Sequence, residues 1–358
     1  MDVVAVIRAD RAWQIIACVA AVAMLSCVIT PARADAQEPI EVPAWAYPTS
    51  APAISTPTTS VSSTKSTAPA TSSTPVAPLP DPTPLHVPGS AQTFTKAQTT
   101  DLFTAPDWFP DSHPPMPEVV ARGRPPTVQA CAFCHLPTGN GRPENAAVAG
   151  LPAEYIAQQV RDFASGARRS AWHGVYRPTD LMSALAKEVT EAELVEAAAY
   201  FSRLPVTRRA EIVEVERAPR THVAGLLYAV TEGAGDEPLG KRIIEVALDQ
   251  DRHELRDPQV TYRAYVPNGS VARGKTIVST GAGGLTLACR SCHGPDLRGV
   301  GLIPPIVGRS PTYILRQLLA FRTGARATPA GVPMQAVVGK LTLADMIAIA
   351  AYVGTLEP

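Results

Sequence analysis

The spacing of apolar and polar positions changes character along the 358-residue chain. From Ala12 to Ile29 it is almost continuously apolar, with Arg8 and Arg11 before it and Ala32-Arg33-Ala34 after it. A basic flank, an apolar run and a small-x-small site describe a secretory signal peptide, residues 1–34, cut after Ala34. The run is long for a signal core and about the shortest stretch that spans a bilayer, so retention as an anchor is the competing outcome. From about Tyr47 to Ser90 the residues are Pro, Ser, Thr and Ala with almost no large apolar side chain. Such a segment buries too little surface to offset the entropy of ordering, which predicts a disordered linker over 35–95.

Beyond the linker the spacing becomes helical. Pro152 to Ser165 and Ser310 to Arg322 carry apolar residues at helical intervals, and each ends near a glycine fit for a C-cap. Two further helices open at Thr190-Glu-Ala-Glu193 and Thr342-Leu-Ala-Asp345, both with the form of a capping box, Asp replacing the usual Glu or Gln in the second. Their inner positions are Leu194, Ala197, Ala198 and Phe201 in one, and Met346, Ile349, Ala350 and Val353 in the other. Between about Leu204 and Asn268 the period drops to two. Glu211 to Arg217 alternates, and His222 to Val230, Arg242 to Val246 and Thr261 to Val266 follow, separated by Gly, Pro and Asp. This predicts a small antiparallel β insertion over 205–268. Its plainer role is a scaffold that fixes an interdomain angle; a docking surface or a cover is the alternative. Asp101 to Met116, with Phe103, Trp108 and Phe109, reads as an irregular arm on the helical unit that follows.

The two helical stretches are copies. A shift of 158 residues lays Gly150, Tyr155, Gln159, Phe163 and Arg168 on Gly308, Tyr313, Gln317, Phe321 and Arg326. The offset then becomes 152, because the first copy has six extra residues before Met182, and Met182, Thr190 and Tyr200 fall on Met334, Thr342 and Tyr352. This is a duplication of one unit of roughly 80 residues rather than a solenoid. Upstream, Val120-Ala-Arg-Gly123 matches Val271-Ala-Arg-Gly274. Gly274 lies 15 residues before its cysteine and Gly123 only 8, with Pro125 and Pro126 intervening. The first copy is therefore expected to have a truncated leading helix.

Composition adds little until the cysteines are placed. Net charge is zero, which gives no reason to expect nucleic acid as a partner, and aromatics are 6%, low for large packed cores. Of six cysteines, Cys18 and Cys27 sit in the apolar N-terminal run. The other four form Cys131-Ala-Phe-Cys134-His135 and Cys289-Arg-Ser-Cys292-His293, which coincide in the repeat. C-x-x-C-H is the pattern of c-type haem attachment. Thiols three residues apart on one turn each reach a vinyl group, and the next residue turns an imidazole toward the iron. A thioredoxin-like pair and a zinc site with four thiolates use C-x-x-C without the histidine, so both rank below haem.

On these motifs each copy resembles a class I cytochrome c, and the pair resembles the tandem dihaem cytochromes of the c4 type, over about residues 117–204 and 270–358. The resemblance implies a mainly α fold, with two cytochrome c-like haem domains (96–204 with its arm, and 269–358) around the β-rich insertion. It implies two covalently bound haem c groups on Cys131, Cys134, Cys289 and Cys292. It implies iron ligation by His135 with Met182 and by His293 with Met334, each methionine on a later loop. His173 and Met116 are lesser candidates beside Met182, and His113, His222 and His253 have no spacing argument. In this family a proline carbonyl holds the histidine; Pro304 fits that place in the second copy and Ala146 stands there in the first. The implied function is an electron carrier between a dehydrogenase or quinol-oxidising complex and a terminal oxidase or reductase. The implied location is the periplasm, tethered to the membrane only if the N-terminal segment is retained. A dihaem redox enzyme, peroxidase-like or thiosulfate-handling, and a cytochrome subunit of a dehydrogenase complex are the alternatives.

Overall fold

The computed structural model describes residues 40–49 and 81–358. The expected signal segment and the middle of the linker lie outside these residues. Helix outweighs strand, about 39% against 12%, so the fold is mainly α.

The first run of helices is α1 Lys96–Thr100, α2 Glu118–Ala121, α3 Cys131–His135, α4 Ala153–Ser165, α5 Arg177–Glu188 and α6 Glu191–Ser202. Gly166 ends α4 in the left-handed conformation, φ 78°. Thr190 caps α6 with its hydroxyl on the Glu193 amide while Glu193 answers the Thr190 amide, the reciprocal bonding that the sequence pattern predicts. A core of Val120, Val128, Phe133, Leu194, Ala198 and Phe201 lies among these helices.

The strands follow. They are β1 Ala210–Glu214, β2 Arg217–Pro219, β3 Thr221–Ala224, β4 Leu227–Val230, β5 Asp236–Pro238, β6 Ile244–Ala247 and β7 Tyr262–Val266, with helix α7 Gln250–Glu254 before the last. The insertion is not the purely antiparallel ribbon expected. Five strands form one sheet in the order β1-β7-β6-β4-β3, and β2 pairs with β5 separately. β1 and β7 run parallel, as do β4 and β6. The long excursion between β1 and β7 permits parallel pairing, since parallel neighbours need a crossover of a dozen residues or more. His222 to Val230, read as one strand, is a hairpin that reverses at Gly225, where φ is 64°.

The second run is α8 Ser270–Thr280, α9 Arg290–His293, α10 Pro311–Arg322, α11 Val332–Val338 and α12 Leu343–Thr355. Nine of the thirteen residues of α12 are buried, so it is apolar on nearly every side. Gly274 of α8 meets it so closely that a β-carbon there would stand 1.9 Å from the Ala348 carbonyl oxygen. The matching α2 has four residues against eleven in α8, the truncation expected from the two prolines.

One expectation, the disordered linker, needs correction at both ends. Residues 40–49, assigned to the disordered linker, are packed. Tyr47 is buried against the second core, stacks on Trp172 with centroids 6.0 Å apart and meets Tyr176 edge-on at 5.1 Å. A local excess of aromatic residues, Trp45 and Tyr47, gives this stretch the apolar area that its Pro, Ser and Thr neighbours lack. Residues 81–95 are also placed, with Leu85 bridged to Phe94. The arm reaches the insertion. Trp108 is buried, meets Phe94 edge-on at 4.6 Å, and its indole N–H donates to the Leu255 carbonyl of the insertion at 2.8 Å.

Candidate functional site

Each C-x-x-C-H run folds as a single helical turn, α3 and α9, which sets both thiols and the imidazole on one side. His135 Nδ1 donates to the Ala146 carbonyl at 2.8 Å, and His293 Nδ1 donates to the Pro304 carbonyl at 2.8 Å. A carbonyl only accepts, so Nδ1 carries the proton and Nε2 is left with its lone pair for another partner. Ala146 serves as well as Pro304 because the backbone oxygen, not the side chain, does the holding. Burial holds both imidazoles below the ordinary histidine value, partly offset by these carbonyls, so both rings are neutral at pH 7. Burial pushes the Cys131 thiol up to about 12 and the Cys289 thiol up to about 11. They are un-ionised and poor nucleophiles for disulfide exchange. All four motif cysteines are free of disulfides.

One cavity of about 1620 Å³ takes its walls from both motifs. Cys131, Cys134, His135 and Met182 line it, and so do Cys289, Cys292, His293 and Met334. Pockets for a single small ligand run to roughly 300–1,000 Å³, so this space suits two. The methionines sit on helices, α5 and α11, not on the loops expected. Pro178 and Pro333 at the start of these helices supply the fixed φ that favours a first turn. His173 is exposed and Met116 packs against the first core; neither lines the cavity. His253 is buried with its Nδ1 3.1 Å from the Tyr262 hydroxyl, His113 Nε2 lies 3.1 Å from Asp107, and His222 Nδ1 lies 3.0 Å from the Thr231 hydroxyl. Among the described residues no group of three or more His, Cys, Asp or Glu is placed to hold a metal ion, so the four thiols do not converge as a zinc site demands.

The two halves of the cavity meet across a crossed cluster of repeat-matched residues. Arg168 donates to Gln159 of its own copy at 2.9 Å, and across the junction to Tyr313 at 3.2 Å and Gln317 at 3.0 Å. Arg326 does the reverse, to Gln317 at 3.2 Å, Tyr155 at 3.2 Å and Gln159 at 2.6 Å. Each guanidinium also lies over its own copy's phenylalanine, Arg168 over Phe163 at 4.6 Å and Arg326 over Phe321 at 4.2 Å. Burial raises the Tyr155 phenol, but Arg326 and Arg168 more than offset it, leaving it below the ordinary tyrosine value. All six polar residues line the cavity. The repeat alignment picks out every one of them, yet local sequence says nothing of the crossing. Two further arginines there, Arg309 and Arg316, are buried and reach first-copy carbonyls, Arg309 to Ala149 at 3.1 Å and Arg316 to Pro143. Nothing in their spacing announces them.

Two haems fit this donor set: paired thiols, a neutral imidazole with a free Nε2 and a thioether recur at both ends of one space, with buried guanidinium groups for carboxylates between them. Residues 271–357 match the cytochrome c family. The thiosulfate dehydrogenase electron acceptor of Thiomonas intermedia (strain K12) is 29% identical over 234 residues, 64% of this chain and 79% of that protein. Cytochrome c4 of Azotobacter vinelandii is 25% identical over 231 residues, 63% of this chain and 84% of that one. Cytochrome c-554(547) of Halothiobacillus neapolitanus is 33% identical over 97 residues and is matched over 99% of its length. The chain belongs to the cytochrome c family, as a dihaem class I electron-transfer cytochrome with two covalently bound haem c groups.

Proposed function

We propose that this protein is an exported shuttle with two closed haem sites, taking electrons from a dehydrogenase and delivering them to a terminal oxidase or reductase. Cys131 and Cys134 hold one group and Cys289 and Cys292 the other. His135 with Met182, and His293 with Met334, complete the two iron sites. The haem supplies a one-electron couple, and a thioether ligand raises its potential. The chain's own residues do the rest. The carbonyls of Ala146 and Pro304 fix the imidazoles, Met182 and Met334 would hold the irons through sulfur, and Arg168 and Arg326 would neutralise the haem carboxylates at the junction.

The observation that carries this reading is the matched pair of histidine–carbonyl bonds, each with a methionine lining the same cavity. A histidine and a methionine at each site would together hold the iron and leave no room for substrate, which favours a carrier over a dihaem enzyme. The relative named as an electron acceptor of thiosulfate dehydrogenase makes a sulfur-compound dehydrogenase the leading class of donor. The domains are those drawn from the sequence, 96–204 and 269–358 around 205–268, in the periplasm. Among the described residues no single helix is long and apolar enough to cross a membrane. An optical redox titration with haem quantitation tests the proposal. Two low-spin haems per chain and no carbon monoxide binding on reduction are expected; rapid stoichiometric carbon monoxide binding at one haem would overturn the closed-site reading.

A further inference from the structure

Two buried hydroxyls on the cavity wall have no acceptor. Tyr47 is 4% exposed and Tyr176 3%, both line the cavity, and among the described residues neither phenol oxygen is hydrogen-bonded. Burial raises both phenols above the ordinary tyrosine value, the Arg316 charge offsetting part of it, so both keep their protons and act as donors. Arg316 stands beside them, its guanidinium carbon 5.6 Å from the centre of the Tyr176 ring. It is buried, and its bonds go to backbone carbonyls, that of Ala46 at 3.3 Å and that of Pro143. The two acids within electrostatic reach are already engaged, Glu144 with Arg142 and Glu245 with Ser310 and Thr312. Two donors and a buried cation therefore share a wall with no carboxylate of the chain to satisfy them, an arrangement that is costly unless an anion arrives.

None of the three comes from the duplicated pattern. Tyr47 lies upstream of the linker, Tyr176 lies in the stretch that carries the six extra residues, and Arg316 stands where the first copy has Gln158. The segment that brings Tyr47 is fastened at three points. The Tyr228 hydroxyl of the insertion donates to the Trp45 carbonyl at 3.1 Å, Arg316 holds the Ala46 carbonyl, and the Tyr47 ring stacks on Trp172. We infer that residues 40–49 are a strap belonging to the haem site, and that the Tyr47 and Tyr176 hydroxyls, beside the Arg316 charge, hold a carboxylate of one haem. The inference rests on the two-haem reading of the cavity. Haem side chains end in ionised carboxylates, which accept from hydroxyls and are drawn to a buried guanidinium. The crossed pair Arg168 and Arg326 serves both copies alike, whereas this set occurs once, so it distinguishes the haems and acts on the potential of one.

Optical redox titrations of the full-length dihaem protein at a series of pH values test this, with Tyr47→Phe and Tyr176→Phe. Each variant keeps its ring in the packing and loses only the hydroxyl. Loss of a donor leaves more negative charge beside the iron and raises the proton affinity of the carboxylate. Each variant is expected to lower the midpoint of one haem and to move the bend in that midpoint's pH profile upward by about one pH unit. The carboxylate bending band in resonance Raman spectra shifts with it, and the other haem keeps its profile. Tyr228→Phe is the packing control: it loosens the strap, leaves both hydroxyls, and should lower thermal stability without moving either midpoint. Midpoints and Raman band unchanged in both hydroxyl variants would overturn the proposal, since water alone then meets these groups. Equal movement of both haems, or equal movement in Tyr228→Phe, overturns it as well. A preparation without covalent haem fails the two-haem reading instead.

Discussion

Helix α8 leads into the second motif with eleven residues and locks onto α12 through Gly274; its counterpart α2 has four, and the matching Gly123 sits against the Val128 carbonyl instead. The second half has its own deep core, with Leu315, Leu319, Met346 and Ile347 almost fully buried. The first half borrows. Trp108 of its arm is held by Leu255, and Arg256 reaches back to the carbonyls of Phe133 and Thr99. Yet the histidine–carbonyl bond is 2.8 Å in both. Duplication preserved what the cofactor chemistry needs and released everything around it. The released surroundings diverged, and at the first motif His253 and Arg256 of the insertion pack on Glu144 and Phe133.

The strongest way to break the comparison is to remove one site at a time. Cys131→Ala with Cys134→Ala, or Cys289→Ala with Cys292→Ala, should each leave one porphyrin adduct per chain by mass spectrometry. Loss of both adducts from either change would mean the halves do not mature independently. Next in size are the closing ligands. Met182→Ala and Met334→Ala should each open one iron to carbon monoxide and lower one midpoint potential, leaving the other haem unchanged in the optical titration.

Core substitutions sharpen the contrast in stability. Met346→Ala should cost about 2–5 kcal/mol by denaturant unfolding, since the side chain is wholly buried in a rigid surround. The matched Leu194→Ala should cost less if the first half leans on the insertion rather than on its own core.

The cover over the first site should respond to acid. Burial holds His253 down to about 4, with Glu144 opposing and Arg142, Arg256 and Arg209 adding to the effect. A histidine whose folded pKa lies below its unfolded value of about 6.5 contributes stability above pH 6.5 and loses it as pH falls toward 4. Each pKa unit is worth about 1.4 kcal/mol, so the loss is on the order of 3 kcal/mol. Hydrogen-exchange protection of the 250–257 backbone, corrected for the intrinsic rate at each pH, should fall across this window, and His253→Phe should abolish the fall. The smallest difference is at the caps: Thr190→Ala and Thr342→Ala should each cost about 0.5–2 kcal/mol in thermal unfolding, with Thr342→Ala the larger because Asp345 also holds Arg273 at 2.6 Å.

The sequence by itself determined whatever depends on neighbours a few residues apart. The two attachment motifs, both capping boxes, the bounds of α4 and α10 and the shortened α2 are local events, and each copy vouches for the other. It also singled out Tyr155, Gln159 and Arg168 with their partners, without saying what they touch. Only the tertiary structure decided the crossing of Arg168 and Arg326, the parallel pairing inside the sheet, the packing of Tyr47 and the placing of His253 and Arg256 over the first motif. Those contacts join residues from 18 to more than 150 positions apart, and no periodicity or short motif encodes them. Their geometry exists only once the chain has collapsed and buried charges must find partners across the junction.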